Sequence, residues 1–168
     1  HNNSVFMIKS PVLGDYMAEN ICGAFAMAHE IGIKPNKIIT AIENFKGIKR
    51  RLEKRLENKI TIFDDIAHSP AKANFTLKTL RDIYDKKIIA IFEPNTGNRQ
   101  KESIPSYENA FQSADEMIIP RLTRIKADPN KPNKHFDGQK LTEVISQTHS
   151  NTKFIDDDEE LIKYIKNN

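Results

Sequence analysis

From residue 60 onward, this chain alternates short apolar runs with longer amphipathic segments. The apolar runs, typical of buried strands, lie at residues 60–63, 87–92, 117–119 and 153–155. Helices are predicted after Ser69-Pro70, near residues 107–114 and 141–147, and after Asp156, Ser followed by Pro being a typical helix start. Strands that alternate with helices at this spacing form a mostly parallel sheet with helices on both faces. The sequence therefore predicts an α/β fold.

The first 47 residues have a different character. Residues 5–9 are strand-like, and two helices are predicted, one over residues 18–31 and one from Pro35 to a stop at Gly47. Two short amphipathic helices cannot form a core by themselves, so they must pack on something else. A domain boundary is predicted near Gly47.

The segment after this boundary predicts a β-hairpin, because residues 50–57 and 59–63 both alternate around a turn at Glu57-Asn58. A basic cluster, Lys49-Arg50-Arg51 with Lys54-Arg55, overlaps its first strand. Glu53 and Glu57 alternate with the arginines and no aromatic side chains are interleaved, which disfavours nucleic-acid binding. The net charge of +3 does not demand such a partner either. An arginine that neutralises a phosphate fits the pattern better.

Length and composition limit the class of protein. A chain of 168 residues is one domain, or one domain plus part of another. The single Cys22 excludes a disulfide framework and a cysteine-based zinc cluster, and it fits a reducing compartment. No apolar run approaches the ~18 residues of a membrane span, and the first residues lack the layout of a signal peptide. We expect a cytoplasmic globular chain without a membrane or nucleic-acid partner.

Polar side chains follow two of the predicted strands, and ligands of open α/β sheets bind at the carboxyl ends of strands. The first group, in Asp64-Asp65-Ile66-Ala67-His68, lies between a strand end and a helix start. A carboxylate there can accept hydrogen bonds from a pair of ribose hydroxyls, and a helix N-terminus favours anions. The alternative is that Asp64 or Asp65 caps a turn and His68 is a surface residue. The residues alone leave both interpretations open.

The second group lies in Glu93-Pro94-Asn95-Thr96-Gly97-Asn98-Arg99, after the next strand. This loop is rich in hydrogen-bonding side chains, and Arg99 could bind a carboxylate through two parallel hydrogen bonds. A solvated loop that uses Asn and Gly for turn geometry is the alternative, and the residues alone favour it.

The sequence lacks the motif of a phosphate-binding loop and the residue spacing of a metal site. None of the six glycines precedes Lys-Ser or Lys-Thr, so a P-loop is absent and the main phosphate cradle is expected elsewhere. His1, His29, His135 and His149 show no spacing with carboxylates that would build a metal site. The acidic run at residues 156–160 is interpreted as the first turn of the last helix, where it complements the helix dipole.

Four segments, in this order, resemble the Mur ligase family, the ATP-dependent amide-forming enzymes of peptidoglycan synthesis. They are Gly14-Asp15-Tyr16-Met17-Ala18-Glu19-Asn20, Phe45-Lys46-Gly47-Ile48-Lys49-Arg50-Arg51, Asp64-Asp65-Ile66-Ala67-His68-Ser69-Pro70 and Ile88-Ile89-Ala90-Ile91-Phe92-Glu93-Pro94. The third is the most specific, being similar to the family's Asp-Tyr-Ala-His-x-Pro signature. The likeness extends from about residue 5 to Glu116. The first segment departs from the family, with Tyr16-Met17 in place of His-Asn.

The resemblance implies a three-domain enzyme of which this chain is the end. Residues 1–47 would be the tail of the central ATP-binding domain, and residues 48–168 would be the Rossmann-like C-terminal domain. ATP would activate the carboxylate of UDP-N-acetylmuramate as an acyl phosphate, which the incoming amine attacks. Ligands for Mg²⁺ would lie mainly in the missing upstream domain, on which this chain would pack. The fragment alone would be inactive because it lacks the P-loop.

The resemblance also assigns roles to individual residues, according to their positions in the matching segments. The resemblance implies that Asn20 lies near the adenine, that Arg51 reaches the γ-phosphate, and that Asp65 holds the ribose hydroxyls. His68 would help to shape the site, and Arg51 and His68 are the predicted catalytic residues. The incoming amino acid or peptide would bind a loop that contains Asn95, Thr96, Asn98 and Arg99.

The resemblance does not fix the amine substrate. Phe92-Glu93-Pro94 and the segments Ile118-Ile119-Pro120-Arg121-Leu122 and Arg124-Ile125-Lys126 favour the branch that adds the tripeptide L-Ala-γ-D-Glu-meso-diaminopimelate. The branch that adds L-alanine is the first alternative, and a folylpolyglutamate synthase-type enzyme is more distant. A non-catalytic binding module of the same fold stays open as well.

Overall fold

A computed structural model describes residues 5–123 and 135–168, which form two compact units. The first unit runs to Ile66, and the second begins at Ala67. The predicted domain boundary near Gly47 is not tested by this division and stays a prediction. The resemblance of Arg124-Ile125-Lys126 lies outside the described residues. None of the helices in the described part is long and apolar enough to cross a membrane.

The first unit contains two helices, α1 (Asp15–Glu30) and α2 (Pro35–Glu43), which contact each other. Both predicted helices are confirmed, and Pro35 occupies the first turn of α2 as expected. The predicted strand over residues 5–9 is wrong, because these residues pair with no strand among those described. Phe6 instead packs its ring against Phe25 of α1, with the ring centroids 5.4 Å apart.

The predicted hairpin is confirmed. Strands β1 (Glu53–Glu57) and β2 (Thr61–Asp64) pair antiparallel, with Glu53 opposite Asp64 and Glu57 opposite Thr61. The register of the hairpin shifts between Lys54 and Leu56. Ion pairs between nearby side chains lie on the hairpin surface, such as the one between Arg55 Nη1 and Glu53 Oε1 at 3.0 Å. The alternating charges therefore form a ladder within the hairpin, as the pattern indicated.

The second unit is built on a parallel sheet in the order β3 (Ile89–Ile91), β4 (Glu116–Pro120) and β5 (Thr152–Ile155). The central strand β4 is closed to solvent on both faces, since Met117, Ile118 and Ile119 are each 0% exposed. Such a continuous apolar run is typical of a parallel strand covered by helices. The predicted α/β fold with a parallel sheet is confirmed.

Helices α3 (Pro70–Ile83), α4 (Gly138–Ser146) and α5 (Asp158–Asn167) surround this sheet. The main core joins side chains of α3 and α4 to one face of β4, and its members include Ala73, Leu77, Met117, Ile119, Leu141 and Ile145. Alternation along β4 puts Glu116 and Ile118 on the opposite face. Because Tyr164 of α5 binds Glu116, α5 covers that face.

The helix predicted near residues 107–114 is replaced by a 3₁₀ helix, Lys101–Tyr107, followed by turns. Asn109 has a φ of 55°, in the left-handed region, which ends right-handed helical geometry. Tyr107, Ala110 and Phe111 are nonetheless buried. The apolar spacing thus marked the buried residues correctly but not the type of backbone that carries them.

Glu116 is the centre of a polar cluster between β4, β5 and α5. Its carboxylate is 2% exposed and accepts hydrogen bonds from Lys153 Nζ at 2.6 Å and Tyr164 Oη at 2.5 Å, while Lys87 Nζ lies 3.1 Å away. Burial alone would raise the pKa of Glu116, but the hydrogen bonds from Lys153, Tyr164 and Lys87 outweigh it and lower the pKa to about 2. The ionised form of Glu116 therefore holds α5 on the sheet.

Acid should weaken this attachment. Because the folded-state pKa lies below the ordinary value of 4.5, the stabilisation from Glu116 is complete above about pH 4.5 and is lost as the pH falls toward 2. We expect Glu116→Gln to lower the free energy of unfolding at pH 6, by up to about 3 kcal/mol, and to flatten its fall between pH 4.5 and 2. Urea titrations of the wild type and Glu116→Gln at pH 6 and between pH 4.5 and 2 measure these free energies of unfolding. Glu143→Gln, which removes an exposed ion pair to Lys140, serves as the control. An identical acid profile for Glu116→Gln and the wild type would contradict the assignment.

Gly138, the first residue of α4, leaves no room for a side chain. A Cβ atom there would lie 2.1 Å from Cε2 of Phe154, whose ring packs against the core. Gly138→Ala should therefore lower the free energy of unfolding by about 1–3 kcal/mol. Gly23→Ala is the matched control, since nothing lies within 4 Å of the added Cβ on α1 and alanine favours helix. Equal free energies of unfolding for Gly138→Ala and the wild type in urea titrations would contradict this prediction, because they would mean that the Phe154 ring can move aside without destabilising the core.

Candidate functional site

The predicted nucleotide-binding residues lie in the first unit, around the turn before β1. Oδ2 of Asp65 accepts a hydrogen bond from the backbone N–H of Leu52 at 2.8 Å, and the N–H of Ile66 donates to the carbonyl of Arg50 at 2.8 Å. Arg50 and Leu52 have φ angles of 58° and 45°, conformations that need such support in residues other than glycine. Arg51 lies between them, exposed at the top of the turn.

Tyr16 joins this group. Burial raises the pKa of the Tyr16 hydroxyl, the negative charge of Asp65 raises it further, and the positive charge of Arg51 opposes the change. Both charged side chains therefore lie within electrostatic reach of the Tyr16 hydroxyl. Asn20 is one turn further along the same face of α1, with its Nδ2 atom 3.9 Å from Sδ of Met17.

The structure thus brings Arg51 and Asp65 together with Tyr16 and leaves Asn20 one helical turn away. Tyr16 was noted in the sequence only as a departure from the family's His-Asn pair. Its place at the start of α1, next to a motif residue, was the signal that could have identified it. Asp65 also performs the turn-capping role that formed the alternative interpretation. Because a carboxylate has about four acceptor positions, that bond does not exclude ligand binding.

The predicted substrate-binding residues lie in the second unit, around His68. The backbone carbonyl of His68 accepts hydrogen bonds from the N–H of Asn95 at 3.0 Å and from Nδ2 of Asn98 at 3.3 Å. Asn95 also caps the short 3₁₀ helix Thr96–Asn98, accepting at Oδ1 from the N–H of Asn98 at 3.1 Å. Nε2 of His68 lies 3.4 Å from Nζ of Lys72 on α3. His68, Asn95 and Asn98 therefore form one cluster, with Thr96 within its 3₁₀ helix.

Arg99 ends this loop and is buried, with 7% of its surface exposed. Its Nε donates to the carbonyl of Phe136 at 3.2 Å, and its Nη1 donates to the carbonyl of Thr123 at 2.9 Å. The loop is fixed further by Tyr107, whose hydroxyl donates to the carbonyl of Asn98 at 2.5 Å. Burial raises the pKa of Tyr107 well above its ordinary range, so the hydroxyl stays protonated and remains a donor.

The sequence did not indicate a role for Tyr107, and it placed Glu93 in the loop without assigning it a role. Oε1 of Glu93 accepts a hydrogen bond from the N–H of Thr123 at 2.7 Å, which ties the loop after β3 to the loop after β4. The position of Glu93 directly after a strand was a weak signal for this role. Nothing in the local sequence indicates which carbonyl Tyr107 binds, because its partner is fixed by the tertiary fold.

Across residues 5–123 and 135–168, no group of three or more His, Cys, Asp or Glu side chains could hold a metal ion. Mg²⁺ in nucleotide sites usually keeps several waters and is bound by one or two carboxylates together with phosphate oxygens of the substrate. The placement of its ligands upstream stays a prediction.

Comparison with known proteins identifies the family. The family model described as the Mur ligase, glutamate ligase domain, matches residues 50–168. The UDP-N-acetylmuramate–L-alanine ligase of Caldicellulosiruptor saccharolyticus is 32% identical over 161 residues, covering 95% of this chain and 35% of the relative. The ligase of the same name from Caldanaerobacter subterraneus subsp. tengcongensis is 30% identical, covering 95% of this chain and 34% of the relative. The chain thus spans about a third of the length of these relatives.

Solved structures agree on the fold. The UDP-N-acetylmuramate–alanine ligase of Thermotoga maritima has a TM-score of 0.74 at 23% identity, covering 95% of this chain and 33% of that chain. A murein peptide ligase from Psychrobacter arcticus has a TM-score of 0.59 at 26% identity, covering 94% and 32%. These matches confirm the predicted resemblance. The chain belongs to the Mur ligase family and carries its C-terminal domain.

Proposed function

We propose that this chain is the C-terminal part of an ATP-dependent ligase that joins UDP-N-acetylmuramate to L-alanine. The observation that carries the proposal is the likeness to L-alanine ligases, at 30–32% identity over 95% of the chain. This reverses the order of the two amines predicted from the sequence. The tripeptide becomes the second candidate, supported by the murein peptide ligase structure and by Phe92-Glu93-Pro94.

The proposed reaction has two steps. The γ-phosphoryl group of ATP passes to the carboxylate of UDP-N-acetylmuramate, which gives an acyl phosphate and ADP. The amine of L-alanine then attacks the acyl carbon, and the tetrahedral intermediate expels phosphate and loses a proton to leave the amide. Charge builds up on phosphate oxygens in the first step, so positioned cations accelerate it.

The first unit would complete the nucleotide site. Arg51 is proposed to reach the γ-phosphate, because its side chain is exposed on a turn that Asp65 and Ile66 hold rigid. Asp65 is proposed to accept hydrogen bonds from the ribose hydroxyls, and Asn20 to lie near the adenine. When bound, Mg²⁺ would neutralise phosphate charge, with ligands supplied mainly by the domain upstream.

The second unit would receive the amine substrate. The loop that contains Asn95, Thr96, Asn98 and Arg99 follows β3 at the carboxyl end of the parallel sheet, where α/β proteins bind ligands. Its hydrogen bonds to the carbonyl of His68 fix the loop beside the start of α3. His68 is proposed to shape this site. We place the enzyme in the cytoplasm and expect this chain to pack on the central domain.

Phosphate release by the full-length protein tests the function. With ATP and UDP-N-acetylmuramate present, we expect release with L-alanine and at least about tenfold less with the tripeptide, a difference of about 1.4 kcal/mol in transition-state binding. Reactions without UDP-N-acetylmuramate are the control and should release nothing above background.

Release with the tripeptide alone would assign the second candidate instead. No release with either amine, together with the absence of a Gly-Lys-Thr or Gly-Lys-Ser P-loop upstream, would favour the non-catalytic module.

A further inference from the structure

Arg99 joins the loop after β3 to two other segments of the second unit, one at Thr123 and one at Phe136, through main-chain carbonyls. Its guanidinium donates to the carbonyl of Thr123, after β4, and to the carbonyl of Phe136, before α4. Its own carbonyl accepts from the N–H of Phe136 at 2.7 Å, so Arg99 and Phe136 are linked by two hydrogen bonds. Arg99 itself ends the loop after β3.

The partners of Arg99 explain its burial. A guanidinium that is only 7% exposed must have its N–H groups satisfied, and carbonyl oxygens of the main chain accept two of them here. Glu93 binds the same segment, because its Oε1 accepts a hydrogen bond from the N–H of Thr123 at 2.7 Å. Thr123 is therefore fixed at both its N–H and its carbonyl by residues of the loop after β3.

We propose that Arg99 is a positioning residue, which aligns the amine-binding loop with the segments at Thr123 and Phe136 and does not itself bind the substrate carboxylate. This inference rests on the proposed function for the role of the loop, but the hydrogen bonds from Arg99 to Thr123 and Phe136 are observed independently of it. Since a guanidinium has five N–H donors, its main-chain bonds do not alone exclude a substrate contact. An experiment must separate the two roles.

The two roles differ in how they respond to the substrate's charge. A direct contact would favour L-alanine over L-alaninamide, which keeps the amine and lacks the carboxylate. We therefore expect Arg99→Gln to lower kcat/KM for both amines by the same factor, about tenfold or more, because displaced loops misalign either substrate. The ratio of kcat/KM for L-alanine to that for L-alaninamide should stay within about twofold of the wild-type ratio.

Two further variants and a control sharpen the test in the full-length enzyme. Glu93→Ala removes the acceptor for the N–H of Thr123 and should give the same uniform loss. Arg99→Lys keeps the positive charge but lacks the planar pair of donors, so its activity should lie between those of Arg99→Gln and the wild type. It also replaces Arg99→Gln in the test if that variant does not fold. Arg121→Gln removes an exposed guanidinium paired with Asp158 and should leave both kcat/KM values unchanged.

The outcomes distinguish the inference from the proposed function. A ratio that falls toward one in Arg99→Gln, with L-alaninamide activity preserved, would overturn the positioning role in favour of a carboxylate contact. Unchanged kinetics for both amines would overturn it as well. If the wild-type enzyme accepts neither amine, the proposed function fails, and thermal unfolding decides the structural part. Arg99→Gln should then lower Tm by about 4 °C or more while Arg121→Gln does not, and equal Tm values would show that the hydrogen bonds of Arg99 to Thr123 and Phe136 do not stabilise the unit.

Discussion

The burial of strand β4 on both faces is the constraint on which the second unit depends. Met117, Ile118 and Ile119 are closed to solvent, so β3 and β5 must align with this strand in parallel and helices must cover both sides. Parallel alignment brings the carboxyl ends of β3 and β4 to the same edge. The loops that carry Arg99 and Thr123 leave from that edge, which is why one guanidinium can connect them. At the other end of β4, Glu116 attaches α5.

Some candidate residues stabilise the backbone of their own loop and also carry polar groups that can bind a ligand. Asp65 holds the backbone of Leu52 in a left-handed conformation and, in the proposed function, also meets the ribose. Asn98 binds the carbonyl of His68 and belongs to the proposed amine site. A side chain that stabilises its own loop is held rigidly, and rigid placement is what positioning a substrate requires. Structural and functional roles of these residues are therefore not alternatives.

The sequence predicted those features that depend on local pattern. Helix α3 was identified because Ser69 and Pro70 are a sufficient start signal, and β4 because three consecutive apolar residues precede Pro120. Features fixed by tertiary contacts were not predicted. Residues 5–9 look like a strand, yet Phe6 packs on Phe25, and Arg99 looks free to bind a carboxylate, yet it binds carbonyls 24 and 37 residues away in sequence. The family was identified from motifs, whereas the favoured amine substrate changed when relatives over the whole chain were compared.

In the proposed function, the first unit binds the nucleotide and the second unit binds the amine substrate. Steady-state kinetics of Asp65→Ala and Asn98→Ala in the full-length enzyme, with ATP and L-alanine varied in turn, test it most directly. Asp65→Asn, which keeps an acceptor for the N–H of Leu52, controls for damage to the turn. We expect Asp65→Ala to raise KM for ATP about tenfold, the loss expected for hydrogen bonds to a charged group, and to leave KM for L-alanine unchanged. We expect the reverse for Asn98→Ala. Two variants that raise the same KM, or Asp65→Ala with unchanged ATP kinetics, would contradict this division of roles.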